Sequence, residues 1–170
     1  MKSSTKNTFK YTGIVKLSQY TSTKKKILQA ELRNAGGPAL FNFLTDCLIG
    51  DFEKAKQTRP HKIMLLNEET FSEPSDSIIT PVSRFFSLAT CEKVLTSDKN
   101  SSTVRYSFII PRDELREVKN FNRIGLYTAP TDVSNPSDYA AIVEVKDSAS
   151  LNLALSSVLV VDWELTISNK

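Results

Sequence analysis

The chain has 170 residues, of which 40% are hydrophobic and 24% are charged, and its formal net charge is +3. This length and composition predict one globular domain whose core is large enough to need neither disulfides nor a structural metal. Two cysteines, Cys47 and Cys91, and one histidine, His61, are too few for a disulfide framework or a zinc site. Neither an apolar signal-peptide region nor a run of about 18 apolar residues is found, so we expect folding in a reducing cytosol and no membrane contact.

Positive charge is concentrated in the first 30 residues, which contain seven lysines and no acidic residue. Residues 31–170 instead carry 15 basic and 19 acidic side chains. Residues 1–8, MKSSTKNT, have no apolar periodicity, and we expect a flexible basic arm there, followed by a single domain over residues 9–170. The candidate interaction residues of the basic segment are Lys2, Lys6, Lys10, Lys24, Lys25 and Lys26.

These lysines have two possible partners. The phosphates of nucleic acid attract a basic segment, and so do acidic surfaces on neighbouring protein subunits. The lysines are spread along the sequence, and no alternation of arginine with aromatic residues accompanies them. We therefore favour contacts between protein subunits and keep nucleic-acid binding as the alternative.

The first two strands are predicted directly after the arm. In FKYTGIVKLSQ, residues 9–19, apolar and polar side chains alternate with a period of two, which is typical of a half-buried strand. In KKKILQAELRN, residues 24–34, the side chains of Leu28, Ala30 and Leu32 share one side. Both segments are therefore predicted to be strands.

A glycine-rich turn leads into a predicted helix. Residues 34–51 read NAGGPALFNFLTDCLIGD, but the lysine and the serine or threonine of a phosphate-binding loop do not follow the glycines. Pro38 suits the first position of a helix. Apolar residues at steps of three and four predict one amphipathic helix over about residues 38–57, with a packed face of Leu40, Phe41, Leu44, Cys47, Leu48 and Phe52.

The remaining segments are predicted to be mainly strands. These are RPHKIMLLNEE, IITPVSRFFSLATCEKVL, STVRYSFIIP, RIGLYTAP, DYAAIVEV and VLVVDWELTISNK. Pro81 suits an edge strand or the start of a strand, and PRDELREVKNFN predicts a short helical turn. The sequence thus predicts a mainly β fold, an antiparallel β-sandwich with one inserted amphipathic helix.

No group of residues predicts catalysis, a metal site or a cofactor site. His61 lies at the beginning of a predicted strand. The carboxylates of NEET and RDELRE lie in charged segments that are expected to be solvated. Trp163 is in phase with four aliphatic residues of the last strand, so it is predicted to be a core residue. We therefore expect no enzymatic activity and no cofactor.

Two parts of the sequence resemble virion proteins of tailed bacteriophages. In the C-terminal third, RIGLYTAP, DYAAIVEV and VLVVDWELTISN follow in the order in which similar strands end many of those proteins. Earlier in the chain, YTGIVKL, the NAGG turn, LFNFLTDCLIG and RPHKIMLL are similar to a segment of structural proteins from crAss-like and other podovirus-type phages. Together these motifs cover most of residues 11–168.

This resemblance implies a non-enzymatic structural subunit, located in the virion, that belongs to a neck ring, tail hub or collar. The NAGG turn is then a structural corner between a strand and a packed helix. A closed ring needs contacts between unlike faces, and the basic segment and the acidic remainder of the chain form a complementary pair. The partners are copies of the chain and other virion proteins. A nucleic-acid-binding module and a capsid decoration or receptor-binding domain are the alternatives.

Overall fold

The computed structural model describes residues 9–21, 23, 26–36, 38–70, 77–96, 98–118, 121–128, 139–145 and 158–169. The strands within these residues are β1 (Phe9–Tyr20), β2 (Lys26–Gly36), β3 (Pro60–Thr70), β4 (Ser77–Pro81), β5 (Phe86–Val94), β6 (Ser101–Pro111), β7 (Arg123–Thr128), β8 (Ala141–Glu144) and β9 (Val158–Asn169). The helices are α1 (Pro38–Ile49), α2 (Phe52–Thr58) and α3 (Arg112–Glu117). The predicted arm, residues 1–8, lies outside the described residues.

The strands form one antiparallel sheet in the order β4-β3-β5-β6-β9-β1-β2-β8-β7. Strand β7 also pairs with β3, so the sheet is nearly closed into a barrel. Strand β4, which contains Pro81, pairs with the C-terminal part of β3 at the edge of the sheet, as Pro81 predicted. The predicted mainly β, antiparallel fold is confirmed, but the strands belong to one sheet instead of the two separate sheets of a sandwich.

Closure of the sheet depends on two short joins that the sequence pattern does not reveal. Strands β3 and β5 pair at Lys62–Ser87 and Ile63–Phe86, and β2 pairs with β8 through two residue pairs as well. Alternation along a strand separates an inner from an outer face, but it is the same in a barrel and in a sandwich. The sequence pattern therefore could not distinguish a nearly closed sheet from a sandwich.

The core lies inside the barrel and follows the predicted alternation. Val15 and Leu17 of β1, Phe108 of β6 and Trp163 of β9 are all completely buried. Trp163 is directly opposite Val15 on one neighbouring strand and Tyr106 on the other. The prediction that Trp163 belongs to the core is confirmed.

The helical region consists of two helices, so the single helix predicted for about residues 38–57 is wrong. Gly50 has a φ of +80°, a left-handed conformation that ends α1 and that side chains rarely adopt. Asp51 then begins α2, because its side chain accepts a hydrogen bond of 3.1 Å from the backbone N–H of Lys54. The predicted helix begins at Pro38 as expected, but the turn at Gly50 redirects the chain.

Helix α1 covers one end of the barrel, which we call the helix end. Its inner side chains lie next to the beginning of β1 at Tyr11, the beginning of β6 at Ser102 and the end of β9 at Ile167. Strand β3 begins at this end with Pro60 and has 11 residues. At about 3.3 Å per residue, β3 carries the chain about 33 Å towards the opposite end. The helix pair and the β3–β4 hairpin are therefore at opposite ends of the molecule.

Candidate interaction surface

The inner face of α1 packs on the barrel. Leu40 is completely buried, and Phe43 and Leu44 are half-buried against the core. These residues are three and four positions apart, which places them on one side of a helix. The predicted packed face is confirmed for Leu40 and Leu44, and Phe43 is an additional residue of that face.

The outer face of α1 and the first residue of α2 are also apolar, and they are exposed. The exposed fractions are 54% for Phe41, 82% for Leu48, 70% for Ile49 and 64% for Phe52. We call these four residues the outer stripe. The prediction that Phe41, Leu48 and Phe52 belong to the packed face is wrong, because α1 is apolar on two sides and the barrel covers one of them. A surface helix normally has a polar outer face, and a contiguous exposed apolar patch marks an interaction site.

A buried carboxylate holds the helix pair together and so fixes the position of the outer stripe. Asp46 of α1 is 4% exposed. Its two carboxylate oxygens lie 3.2 Å from the Lys54 ammonium and 3.2 Å from the Thr58 hydroxyl, both in α2. The Asp46 carbonyl also accepts a hydrogen bond of 3.0 Å from the backbone N–H of Asp51. With its carboxylate satisfied by two partners, Asp46 joins α1 to α2 without leaving an unpaired charge.

A groove lies between the helix pair and strands β5 and β6, and we call it the helix groove. Its volume is about 530 Å³. Most of its lining is apolar, and Lys56 and Arg59 are its two basic residues; the lining residues are Phe43, Phe52, Ala55, Lys56, Arg59, Leu88, Cys91, Val104 and Tyr106. Because Phe52 belongs to both features, the outer stripe and the helix groove form one continuous surface.

A smaller cavity of about 230 Å³ lies on the other side of Phe43. It is enclosed by the inner face of α1 and the ends of β1, β6 and β9. Phe43, Val104 and Tyr106 line both spaces. The inner packing of α1 is therefore looser than a close-packed core, and the side chain of Phe43 separates the two spaces.

Burial is the main cause of the pKa shifts of Cys91 and Tyr106, which line the helix groove, and of His61, which is two positions from the groove residue Arg59. Burial raises the pKa of the Cys91 thiol, although the Arg59 guanidinium opposes this shift. Burial also raises the pKa of Tyr106, which therefore stays neutral. Burial lowers the pKa of His61, and the positive charges of Lys62 and Arg59 lower it further. A contact of 3.2 Å between the Nδ1 atom of His61 and the Arg59 carbonyl acts in the opposite direction and raises the pKa. These directions favour uncharged thiol, phenol and imidazole groups, so Arg59 and Lys56 determine the charge of the groove.

The outer face of the sheet formed by β5, β6, β9 and β1 differs strongly from the helix end, because its charges are paired. We call it the polar face. The Glu164 carboxylate is 2.7 Å from the Lys16 ammonium and accepts hydrogen bonds of 2.9 and 2.7 Å from Arg105. Arg105 also donates a hydrogen bond of 2.9 Å to Glu92. Burial by itself raises the pKa of Glu164, but the hydrogen bonds and charges of Lys16 and Arg105 outweigh it, so the pKa is lowered.

The structure does not gather the predicted lysines into one patch. Lys10 is exposed near the beginning of β1, at the helix end. Lys26 begins β2 and pairs with Tyr20 at the other end of β1, about 33 Å away for ten residues of strand. Lys2, Lys6, Lys24 and Lys25 lie outside the described residues.

Sequence reasoning missed the outer stripe and Arg59, although one signal was present. Apolar residues occupy positions 40, 41, 43, 44, 47, 48, 49 and 52. At 100° per residue such a set covers more than one face of a helix, and Leu48 and Ile49 are adjacent. We interpreted these residues as one packed face, whereas their spacing indicates two apolar faces.

Comparisons with protein-family models, with curated proteins and with solved structures found no match. Among the described residues, no helix has both the length and the apolar composition to cross a membrane. The same part of the chain contains no cluster of three or more histidine, cysteine or acidic side chains arranged to hold a metal ion. On the described surface, the outer stripe and the helix groove expose apolar side chains that a binding partner could cover.

Proposed function

We propose that this chain is a non-enzymatic structural subunit that assembles with copies of itself into a ring or collar. The observation that carries the proposal is the outer stripe, in which Leu48 and Ile49 are 82% and 70% exposed beside two exposed phenylalanines. Residues of this kind are normally found in the centre of protein interfaces. Asp46 joins the two helices through Lys54 and Thr58, which favours a preformed binding surface.

The proposed setting is the virion of a tailed bacteriophage, in the neck or tail. Its support is the resemblance of the strand and helix motifs, which correspond to β1, α1, β3, β7, β8 and β9. Virion rings repeat one subunit around an axis, and each subunit offers one face to a different face of the next copy. Other virion proteins are the further partners of such a ring.

We propose that a second copy of the chain covers the outer stripe. The surface formed by the stripe and the helix groove lies at the helix end, and in a ring the copy that binds it uses another part of its own surface. Contacts between unlike faces close into rings when the rotation between copies permits it. Apolar residues that are exposed in one copy and covered in the assembly explain why α1 is apolar on two sides.

The paired carboxylates support a role without catalysis. Glu164 and Glu68, the most enclosed glutamates among those with ion pairs in the described residues, are held by arginines at 2.7 and 2.6 Å. For Glu164 the pairing lowers the pKa of the carboxyl, which makes it a poor proton donor near neutral pH. Glu164 bridges β9 to β1 and β6, and Glu68 bridges β3 to β7, so we assign these pairs to the stability of the sheet.

Oligomeric state in solution tests the proposal. We expect the purified chain to form particles of uniform size by light scattering after size-exclusion chromatography, and rings in negative-stain images. The double variant Leu48→Ser, Ile49→Ser should be monomeric and folded, because it removes apolar contact area only from the outer stripe.

The control is Ile109→Ser, which changes an exposed apolar residue of β6 away from the helix end. This variant should assemble like the wild type. A wild-type chain that stays monomeric at high concentration, or a double variant that assembles normally, would falsify the proposal. Tight binding of DNA by the monomer, with loss of that binding in the variant Lys24→Gln, Lys25→Gln, Lys26→Gln, would support the nucleic-acid alternative instead.

A further inference from the structure

The helix groove is lined mainly by apolar side chains, and its positive charge comes from the end of α2. Lys56 and Arg59 supply this charge, and none of the described lining residues is acidic. The Lys56 ammonium lies 2.6 Å from a carboxylate oxygen of Glu53. For Arg59, no ion pair is found among the described residues. Arg59 is therefore the cation of the groove that is free to bind an anion.

Two groups inside the groove show that the charge of Arg59 reaches it. Cys91 and Tyr106 line the groove and are directly opposite each other on β5 and β6. Burial raises the pKa of both groups, and the Arg59 guanidinium opposes the rise in each case. Its charge acts on both groups because it lies close to them. An anion bound beside Cys91 and Tyr106 is attracted by the same charge.

The apolar space of the groove is large enough for a small ligand. Its volume of about 530 Å³ lies within the range of roughly 300–1,000 Å³ that is usual for ligand pockets. Phe43, Val104 and Tyr106 line the groove and also the smaller cavity beneath α1. Apolar space therefore continues inwards behind Phe43.

The lining favours an alkyl chain over a peptide. Besides the two basic residues, the described lining offers only the Cys91 thiol and the Tyr106 hydroxyl as polar side-chain groups. A peptide carries an amide N–H and a C=O at almost every residue, and burial of these groups without partners is costly. An alkyl chain has no polar group, so apolar contact is sufficient to bind it.

We propose that the helix groove binds a medium-chain aliphatic carboxylate, the anion of a free fatty acid, with its alkyl chain against β5 and β6 and its carboxylate on Arg59. A planar guanidinium donates two parallel hydrogen bonds to a carboxylate, and these bonds are stronger where apolar side chains exclude water. This binding site goes beyond the proposed structural role. Leu48 and Ile49 do not belong to the groove lining, so ligand binding and assembly are tested separately.

Calorimetric titration with decanoate, below its micelle concentration, is the first test. We expect saturable binding to the wild type and to the variant Leu48→Ser, Ile49→Ser, which the proposed function makes monomeric. Octanoate should bind several-fold more weakly, because each buried CH₂ group contributes roughly fourfold in affinity. Propionate, which lacks the long chain, and decyltrimethylammonium, which has the opposite charge, should not bind at the same concentrations.

Variants of Arg59 test the position of the carboxylate. Arg59→Gln should weaken decanoate binding at least about tenfold, as for the loss of hydrogen bonds to a charged group, and should leave binding of uncharged decanol unchanged. Arg59→Lys keeps the charge and should weaken binding less. Arg112→Gln, at an exposed arginine outside the groove lining, is the control and should bind decanoate like the wild type. Equal decanoate affinities of Arg59→Gln and the wild type would overturn the assigned site.

Protection of Cys91 tests the position of the alkyl chain. Cys91 lines the groove and is exposed, so in a Cys47→Ala background iodoacetamide should alkylate it at a rate that mass spectrometry can follow. Saturating decanoate should slow this reaction at least several-fold, and decyltrimethylammonium should leave the rate unchanged. An unchanged rate with bound decanoate would place the ligand elsewhere and overturn the proposal.

The outcomes separate this inference from the proposed function. A chain that assembles but does not bind decanoate, in the wild type or in the variant Leu48→Ser, Ile49→Ser, overturns the ligand site and leaves the structural role in place. A chain that binds decanoate but stays monomeric at every concentration overturns the structural role and leaves the ligand site in place. Saturable binding, its loss in Arg59→Gln and the protection of Cys91 together establish the site.

Discussion

The polar face and the outer stripe are both exposed surfaces of one molecule, but only the polar face is complete within the chain. On the polar face Glu164 is bound by Lys16 and Arg105, and Ser107 donates a hydrogen bond of 2.6 Å to Asp162. On the outer stripe Leu48 and Ile49 remain in contact with solvent. The charged groups named on the polar face form ion pairs and hydrogen bonds within the chain, whereas the apolar side chains of the outer stripe are not covered by it.

Under the proposed function, the polar face contributes to stability and the outer stripe to assembly. Changes on the polar face should affect the free energy of unfolding and leave the oligomeric state alone. Changes on the outer stripe should do the reverse. The inner face of α1 provides a reference, because its apolar residues are covered by the barrel.

The largest effect is expected from Leu40→Ala. Leu40 is completely buried beneath α1, so its truncation should lower the free energy of unfolding by about 2–5 kcal/mol. The matched change Leu48→Ala, on the same helix, should cost less than about 0.5 kcal/mol, because the side chain is already exposed. Urea denaturation at a concentration where both variants are monomeric measures the two values. Equal costs would show that the outer stripe is packed within the monomer.

The second effect concerns the polar face. Glu164→Gln removes the charge that joins Lys16 and Arg105, and should cost about 1.5–3 kcal/mol of unfolding free energy, as for hydrogen bonds to charged groups. Glu92→Gln removes the other, exposed partner of Arg105 and should cost less than about 1 kcal/mol. Both proteins should keep the oligomeric state of the wild type. If Glu164→Gln changed assembly and not stability, the polar face would belong to an interface.

The contribution of the Glu164 carboxylate to the free energy of unfolding depends on pH. The folded pKa of Glu164 lies below its ordinary value of 4.5, so its stabilisation is fully present above that pH and is lost as the pH falls through the folded pKa. The stability difference between the wild type and Glu164→Gln should be largest near pH 7 and should narrow at about pH 3.5. Urea midpoints of both proteins at the two pH values measure it. A difference that widens in acid contradicts the lowered pKa.

The smallest effect is expected at the turn between α1 and α2. Gly50 has a φ of +80°, and no atom lies within 4 Å of the position that a Cβ would take. Gly50→Ala should therefore cost about 1 kcal/mol of unfolding free energy through backbone strain alone. Gly50→Asn should cost less, since asparagine tolerates this conformation better. An equal melting temperature for the wild type and both variants would mean that the helix pair tolerates a different turn.

Local pattern predicted most of the strands and much of the core. Alternation in residues 9–19 and 158–168 gave β1 and β9 correctly, and it placed Trp163 inside. Pro38 gave the beginning of α1, since proline suits the first position of a helix. These features depend on residues that are close together in the sequence, so the sequence contains the information for them.

The candidate site was predicted less well, for the same reason. Arg59 and Cys91 come from segments 32 positions apart, and only the barrel brings them to one groove. The lysines chosen from charge alone include Lys10 and Lys26, which β1 places about 33 Å apart. A net charge along the sequence says little about a surface until the fold has arranged it.

The sequence by itself determined the mainly β class, the beginning of α1 at Pro38 and the burial of Trp163, because periodicity and proline act on the local backbone. The tertiary structure alone decided that the sheet is nearly closed and that two short joins close it. It also decided which apolar face of α1 the barrel covers. Leu40 and Leu48 are the same residue type on the same helix, and only the position of the barrel beneath α1 makes one a core residue and leaves the other exposed.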